Sequence, residues 1–274
     1  MSQSLELLSQ RKDLKKGILI LDSGLGAISM LQEIHDLLPD VPLIAVADSA
    51  AFPYGDKADS DVIERVNKIS QYFSVIFDPS VVVLACNTAS TLALPYLRSS
   101  FTIPIVGIVP AVKPAAQMSK TQTIAILATP ATINRPYLTR LIEEFAADCS
   151  VLCIPCPTLA SLAEQKLRGL LPSLAKVRSE ITSLIEHEAF DAVDTVVLAC
   201  THFSFLLDEL RELLPNREIL DPASSVAKQV KRVNQLDMAS ASSVNSLVFT
   251  GSAESEMDAD LEISGIDEIF FCSI

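Results

Sequence analysis

One five-residue string occurs twice in this chain. Residues 82–86 read Val82-Val83-Leu84-Ala85-Cys86, and residues 196–200 read Val196-Val197-Leu198-Ala199-Cys200. Each string has no polar face, so it suits a strand covered on both sides, as in the parallel sheets of α/β proteins. Each then stops at a cysteine followed by polar residues, Asn87-Thr88 in one copy and Thr201-His202 in the other. Open α/β sheets bind ligands beyond the C-terminal ends of their strands. The repeat therefore sets one thiol at a candidate ligand site in each half of the chain.

The flanking sequence extends the repeat. Ile18 to Leu21 reads as a strand stopping at Asp22-Ser23-Gly24, and Leu43 to Ala47 as a second, stopping at Asp48. Periodicity predicts helices over 28–38, 60–77 and 90–99, and a fourth strand over 105–109. The second half follows the same plan. Strands are expected over 123–128, 151–154, 195–199 and 218–220, with helices over 136–145, 173–188 and 205–214. Ser23 and Thr129 are 106 residues apart, Cys86 and Cys200 114, and Pro110 and Pro222 112. A near-constant offset predicts two similar α/β lobes with mainly parallel sheets, related by a pseudo-twofold axis. The expected active site is the interlobe cleft at their strand ends. The tail adds a helix over 224–233 and short strands near 248–250 and 269–271. Its acid-rich stretch from residue 251 reads as a solvated surface.

Composition narrows the function. The formal net charge of −13 argues against a nucleic acid or an anionic membrane surface as partner. There is no tryptophan, no apolar run of membrane-spanning length, and no apolar core in the charged N-terminal segment as a secretory signal needs. A soluble cytoplasmic protein is expected, with its six cysteines reduced.

Two thiols on opposite faces of a carbon form an acid/base pair, a thiolate that removes a proton and a thiol that returns one. A thiol of pKa ~8.5 suits this work when its surroundings lower that value. Asp22 and His202 are candidates to orient or polarise Cys86 and Cys200. Ser23, Asn87, Thr88, Thr129, Thr132 and Thr201, with helix-start N–H groups, offer hydroxyls and amides to a carboxylate. No arginine clamp is visible, which suits an acidic amino acid. Pro53-Tyr54-Gly55 reads as a plain turn or as a loop closing over the ligand. His35 and His187 lie in charged helical surroundings, and no metal-ligand cluster stands out.

Two other motifs are set aside. Cys149, Cys153 and Cys156 have the spacing of a three-thiolate iron–sulfur loop, and Cys153-Ile154-Pro155-Cys156 that of a redox pair. Both are rejected because residues 151–154 read as a buried strand and no helix is expected directly after Cys156. Gly24-Leu25-Gly26 lacks the third glycine of a dinucleotide loop, its place being taken by Ser29.

Taken together, the motifs Leu21-Asp22-Ser23-Gly24-Leu25-Gly26, Pro53-Tyr54-Gly55, Ala85-Cys86-Asn87-Thr88-Ala89-Ser90, Leu127-Ala128-Thr129-Pro130-Ala131-Thr132, Cys156-Pro157 with Glu164, and Ala199-Cys200-Thr201-His202 resemble the glutamate racemases of the cofactor-independent aspartate/glutamate racemase superfamily. The resemblance runs from residue 17 to about residue 251. It implies interconversion of L- and D-glutamate without any cofactor, supplying D-glutamate for peptidoglycan. It implies catalytic roles for Cys86 and Cys200, with Asp22 and His202 assisting them. Substrate binding would fall to Asp22, Ser23, Tyr54, Gly55, Asn87, Thr88, Thr201 and His202, with Thr129, Thr132 and Glu164 bordering the site. It also implies that lobe one comprises residues 1–109 and 222–274 and carries Cys86, while lobe two, 110–221, carries Cys200. The expected partners are the small-molecule substrate and, as a candidate homodimer, a second copy of the chain. Ala27, Ala131 and Phe203-Ser204 depart from the usual family pattern without removing a proposed catalytic group.

Two other functions share these features. A sister racemase acting on aspartate would keep the cysteine pair and change the specificity. A non-catalytic amino-acid binding protein would use the two lobes alone and leave the paired thiols without a reason.

Overall fold

A computed structural model of the chain describes residues 3–234, 244–251, 265–272 and 274. The chain divides into two compact units, Met1–Ile108 with Ala223–Ile274, and Val109–Pro222. The divisions fall after Ile108 and Pro222.

The first unit opens with helix α1 (Gln3–Gln10) and strand β1 (Ile18–Asp22). Helix α2 (Ala27–Leu37), β2 (Leu43–Ala47), α3 (Asp59–Phe77), β3 (Val81–Leu84), α4 (Asn87–Ser100) and β4 (Ile105–Gly107) follow. β1, β2 and β3 are buried at every residue, which is why they read as unbroken apolar runs. α3 buries Val62, Val66, Ile69, Phe73 and Phe77, a stripe at helical spacing, and ends where Asp78 turns left-handed at φ 46°.

The second unit carries α5 (Val112–Met118), β5 (Thr123–Ala128), α6 (Pro130–Ile133), α7 (Pro136–Phe145), β6 (Ser150–Pro155), α8 (Leu159–Leu167), α9 (Leu174–Glu180), α10 (Thr182–Ile185), β7 (Thr195–Leu198), α11 (Leu207–Leu213) and β8 (Glu218–Leu220). The chain then returns to the first unit through α12 (Ala223–Val233), β9 (Asn245–Phe249) and β10 (Glu268–Phe271).

Among the described residues all strand pairs are parallel. The first sheet runs β10-β9-β2-β1-β3-β4 and the second β6-β5-β7-β8. The last four strands of the first sheet have the topology of the whole second sheet, so β1 corresponds to β5 and β3 to β7. The hydrogen bonds at the strand exits repeat as well. Ala85 N donates to Leu21 O and Ala199 N to Leu127 O, each at 2.8 Å. Asp48 N donates to Asp22 O at 2.9 Å and Cys156 N to Ala128 O at 2.8 Å.

Several sequence expectations need correction. β6 is an edge strand of mostly half-buried residues rather than a buried one, since no strand covers its outer side. A helix does follow Cys156, because α8 starts at Leu159. The expected helix over 173–188 is broken into α9 and α10, where the Thr182 hydroxyl takes the Arg178 carbonyl at 3.0 Å and competes with the helical bond. The stretch 201–206 is a 3-10 helix, so α11 starts only at Leu207. α4 begins at Asn87, three residues earlier than expected. Most of the acid-rich tail, residues 252–264, lies outside the described residues. Among the described residues, no helix is long and apolar enough to cross a membrane.

Candidate functional site

The candidate residues gather at the strand exits of each unit. In the first unit, pairing of Leu21 with Leu84 brings Asp22-Ser23 beside Ala85-Cys86. Sγ of Cys86 lies 3.8 Å from Oγ of Ser23. The Asp22 carboxylate accepts from Ser23 Oγ at 3.3 Å and from Gly24 N at 3.1 Å, which holds the turn after β1. Asp22, Ser23 and Cys86 are all buried.

Cys86 occupies the N-cap position of the 14-residue α4. The free N–H groups and positive end of a helix favour an anion there, so this position supports a thiolate. Asn87 and Thr88 form the first turn and are buried. Both side-chain polar atoms of Asn87 are buried without a hydrogen-bond partner. A buried amide in that state carries a desolvation cost that a polar ligand relieves.

Tyr54 stands in a 3-10 turn over 54–56, after a cis Phe52–Pro53 peptide bond, with Gly55 half-buried beside it. Its hydroxyl donates to Asp48 Oδ2 at 2.6 Å. Burial, then the Asp48 charge, push the phenol's pKa well up, with Cys86 adding to the shift, so the ring stays a neutral donor.

In the second unit, Cys200 stands at the exit of β7 and opens the 3-10 helix over 201–206. Its Sγ lies 3.8 Å from Nδ1 of His202. Nε2 of His202 lies 3.0 Å from Oε1 of Glu164 on α8, and the His202 side chain is only 3% exposed. A carboxylate on one ring nitrogen orients the imidazole and leaves the other for the thiol. Thr201 and Thr132 are buried, and Thr129 is half-buried. Thr129 caps α6 by accepting from Thr132 N at 3.4 Å, and the two hydroxyls lie 3.2 Å apart.

The two exits are alike in plan and different in chemistry. Asp22 corresponds in register to Ala128 and Ser23 to Thr129, so the carboxylate of the first unit has no counterpart on β5. The second unit instead supplies a carboxylate from a helix, Glu164, through an imidazole.

The other cysteines do different work. Cys156 is fully buried, and burial first, then Glu180 and Cys200, push its pKa far up, which keeps it a neutral thiol. Cys153 packs against the cluster containing Ile124 and Ile126, while Cys156 belongs to the cluster containing Leu127 and Leu159. The two therefore serve different packing layers. All six cysteines are free thiols. His35 is bonded to Asn245 at 3.2 Å, and exposed His187 accepts from Ala189 N at 3.1 Å. Among the described residues, no group of three or more His, Cys, Asp or Glu is gathered as a metal ion requires.

Three features escaped the sequence reading. Arg168 lies 3.8 Å from Glu164 Oε2, one helical turn along α8. Leu159, Leu162 and Ala163 have the spacing that marks this helix. Arg135 is buried directly after α6, its N–H donating to Thr132 O at 3.4 Å. Asp48 is bound by Arg65 as well as Tyr54. A buried arginine leaves no periodic trace in a sequence.

Known proteins resemble this chain in sequence and fold. The sequence profile of Asp/Glu/hydantoin racemases matches residues 21–230. Glutamate racemase of Pectobacterium atrosepticum is 42% identical over 227 residues, which cover 82% of this chain and 79% of that one. Glutamate racemase of Pasteurella multocida is 40% identical over 234 residues, covering 85% and 86%. The crystal structure of Escherichia coli glutamate racemase in complex with L-glutamate and the activator UDP-MurNAc-Ala superposes with a TM-score of 0.86 at 32% identity, covering 94% of this chain and 98% of that one.

Proposed function

The chain belongs to the Asp/Glu/hydantoin racemase family, and we propose that it interconverts L- and D-glutamate by cofactor-independent proton transfer between two cysteines. The observation that carries this reading is the matched pair of strand exits, each holding a thiol beside a group able to polarise it. The relatives named glutamate racemase support the choice of substrate. Supply of D-glutamate for peptidoglycan, in the cytoplasm, is the role that fits.

The reaction needs one thiolate and one thiol, on opposite faces of the substrate Cα. The thiolate takes the Cα proton, forming S–H, and the electron pair of the broken C–H bond moves toward the α-carboxylate. The opposite thiol gives its proton to the other face of Cα, and the pair returns to make the new C–H bond. The original thiolate has become a thiol and the original thiol a thiolate, the form that accepts the product enantiomer, and proton exchange with solvent resets the pair for another forward turnover. The α4 N-terminus favours the charged form of Cys86, while Ser23 Oγ, oriented by its bond to Asp22, faces Sγ at 3.8 Å as acceptor for the protonated form. His202, held by Glu164, is the acid/base partner placed beside Cys200.

The remaining candidates bind. Asn87 offers both a donor and an acceptor from one buried side chain. Ser23, Thr88, Thr129, Thr132 and Thr201 offer hydroxyls to the carboxylates and the ammonium, and the Tyr54-Gly55 turn closes one side.

The test is incubation of the purified protein with L- or D-glutamate in D2O, following circular dichroism and deuterium at Cα. Loss of optical activity with deuteration of the product is expected, and slower turnover of L-aspartate. Cys86→Ser and Cys200→Ser should each lose racemisation. Retained optical activity with no exchange would overturn the reading.

A further inference from the structure

The Asp48 carboxylate is fully buried at the exit of β2. It accepts from Tyr54 at 2.6 Å and from Thr250, at the exit of β9. Arg65, on α3, grips both of its oxygens, with Nε 2.9 Å from Oδ2 and Nη2 bonded to Oδ1. Arg65 Nη1 donates to Ile274 O at 2.9 Å. One guanidinium thus joins a helix, two strand exits, the end of the chain and the turn that carries Tyr54.

This network reaches the candidate site through Tyr54. Tyr54, Ala51 and Cys86 belong to one buried cluster, and the turn that carries Tyr54 packs against α4, the helix that Cys86 caps. Tyr54 is 2% exposed and spends its hydroxyl proton on Asp48, so its ring is fixed by that bond. The bond is only as well placed as the carboxylate, and the carboxylate is placed by the planar fork of the arginine.

Resting on the racemase reading, we propose that Arg65 is a positioning residue for the Cys86 half of the site, acting through Asp48 to hold Tyr54 against that thiol. Arg65 bonds to Asp48 and Ile274 and bears on Cys86 only through Tyr54. A lysine keeps the charge but is a point donor, and it cannot hold both carboxylate oxygens in a fixed plane. A methionine removes the charge and leaves the buried carboxylate without its cation.

The experiment measures carbamidomethylation of individual cysteines by iodoacetamide, resolved by mass spectrometry, in wild type, Arg65→Met and Arg65→Lys. For Cys86 and Cys200 rates are taken at the alkaline plateau, where thiol ionisation no longer limits them, and Cys156, kept neutral by burial, is compared at the same pH. In each variant Cys86 should be alkylated several-fold faster than in wild type, because its Tyr54 wall is loosened. Cys200 serves as control in the other unit, and fully buried Cys156 as control for general unfolding. Both should keep their wild-type rates. KM for glutamate should rise by about tenfold in Arg65→Lys, with the smaller effect on kcat, as expected for a misplaced binding wall.

An unchanged Cys86 rate in folded Arg65→Lys would overturn the proposal. So would a rise shared equally by Cys86, Cys200 and Cys156, which marks general loosening. If Arg65→Met does not fold, Arg65→Lys decides alone, since it leaves no uncompensated charge. The alkylation arm needs no turnover. Wild type that fails to racemise glutamate sinks the racemase reading and leaves the alkylation arm to judge whether Arg65 controls Cys86.

Discussion

Sγ of Cys200 and Nδ1 of His202 lie 3.8 Å apart, and Glu164 holds the far side of the imidazole at 3.0 Å. The partner of Cys86 is a serine hydroxyl at the same distance. An imidazole can take a full positive charge beside a thiolate, whereas a hydroxyl offers only a dipole. His202→Gln is therefore expected to lower kcat by about a hundredfold or more, within the range for lost acid/base assistance. Ser23→Ala should cost less. The two enantiomers have equal free energy, so kcat/KM must fall by one factor in both directions in each variant. Racemisation followed by circular dichroism from either enantiomer checks this, and wild-type kcat in His202→Gln would remove the residue from the mechanism.

Asn87 separates binding from stability. Its amide is buried with both polar atoms unpaired, so the unliganded protein gains nothing from them. Asn87→Ala should leave the thermal midpoint at or near that of wild type while raising KM for glutamate by about tenfold, the loss expected when one good hydrogen-bonding side chain is removed from a ligand. A large drop in the midpoint with unchanged KM would show that the amide serves the fold.

Much of this was legible beforehand because it is written in local pattern. The strand ending at Cys86 and the strand ending at Cys200 are announced by apolar runs, and parallel pairing sets their exits beside Asp22-Ser23 and Thr129. The partners that arrive from elsewhere were harder to see. Asp48 is reached by Arg65 across 17 residues and by Thr250 across 202, contacts that tertiary packing alone creates. Glu164 came only from resemblance, because the helix that carries it went unread. The break at Ile181 was hidden too, since Thr182 is an acceptable helix residue until its hydroxyl takes a backbone carbonyl.

The buried Asp48–Arg65 pair makes a stability prediction of its own. Asp48→Ala strips a guanidinium of its counter-charge and leaves Tyr54 and Thr250 without an acceptor. Breaking one side of a fully buried pair costs about 3–5 kcal/mol, and the partial exposure of Arg65 brings the loss here to the low end of that range or below. Asp48→Ala should shift the urea midpoint accordingly, and adding Arg65→Met should recover part of the loss, because no uncompensated charge then remains. A double variant less stable than Asp48→Ala by the full effect of Arg65→Met alone would show that the two side chains act independently.

Acid sensitivity is expected at Asp194, just before β7. Its Oδ2 accepts from Lys120 N at 2.7 Å and Thr121 N at 3.0 Å, and Oδ1 from Thr195 at 2.9 Å, tying the start of β5 to the start of β7. Partial burial works to raise its pKa, but hydrogen bonds from Ser119, Thr121, Lys120 and Thr195 outweigh it and bring the value down to about 2. In the unfolded chain an aspartate titrates near ~3.9. The unfolded state therefore binds the proton first as the pH falls. The contribution is whole above about pH 4 and drains away toward about pH 2. Solvent screening at this half-exposed site keeps it small. Asp194→Asn should melt a few degrees below wild type at neutral pH, and the gap should close between about pH 4 and pH 2. Thermal melts followed by circular dichroism across that range decide the matter, and a gap that stays constant down to about pH 2 would show that the carboxylate charge contributes nothing.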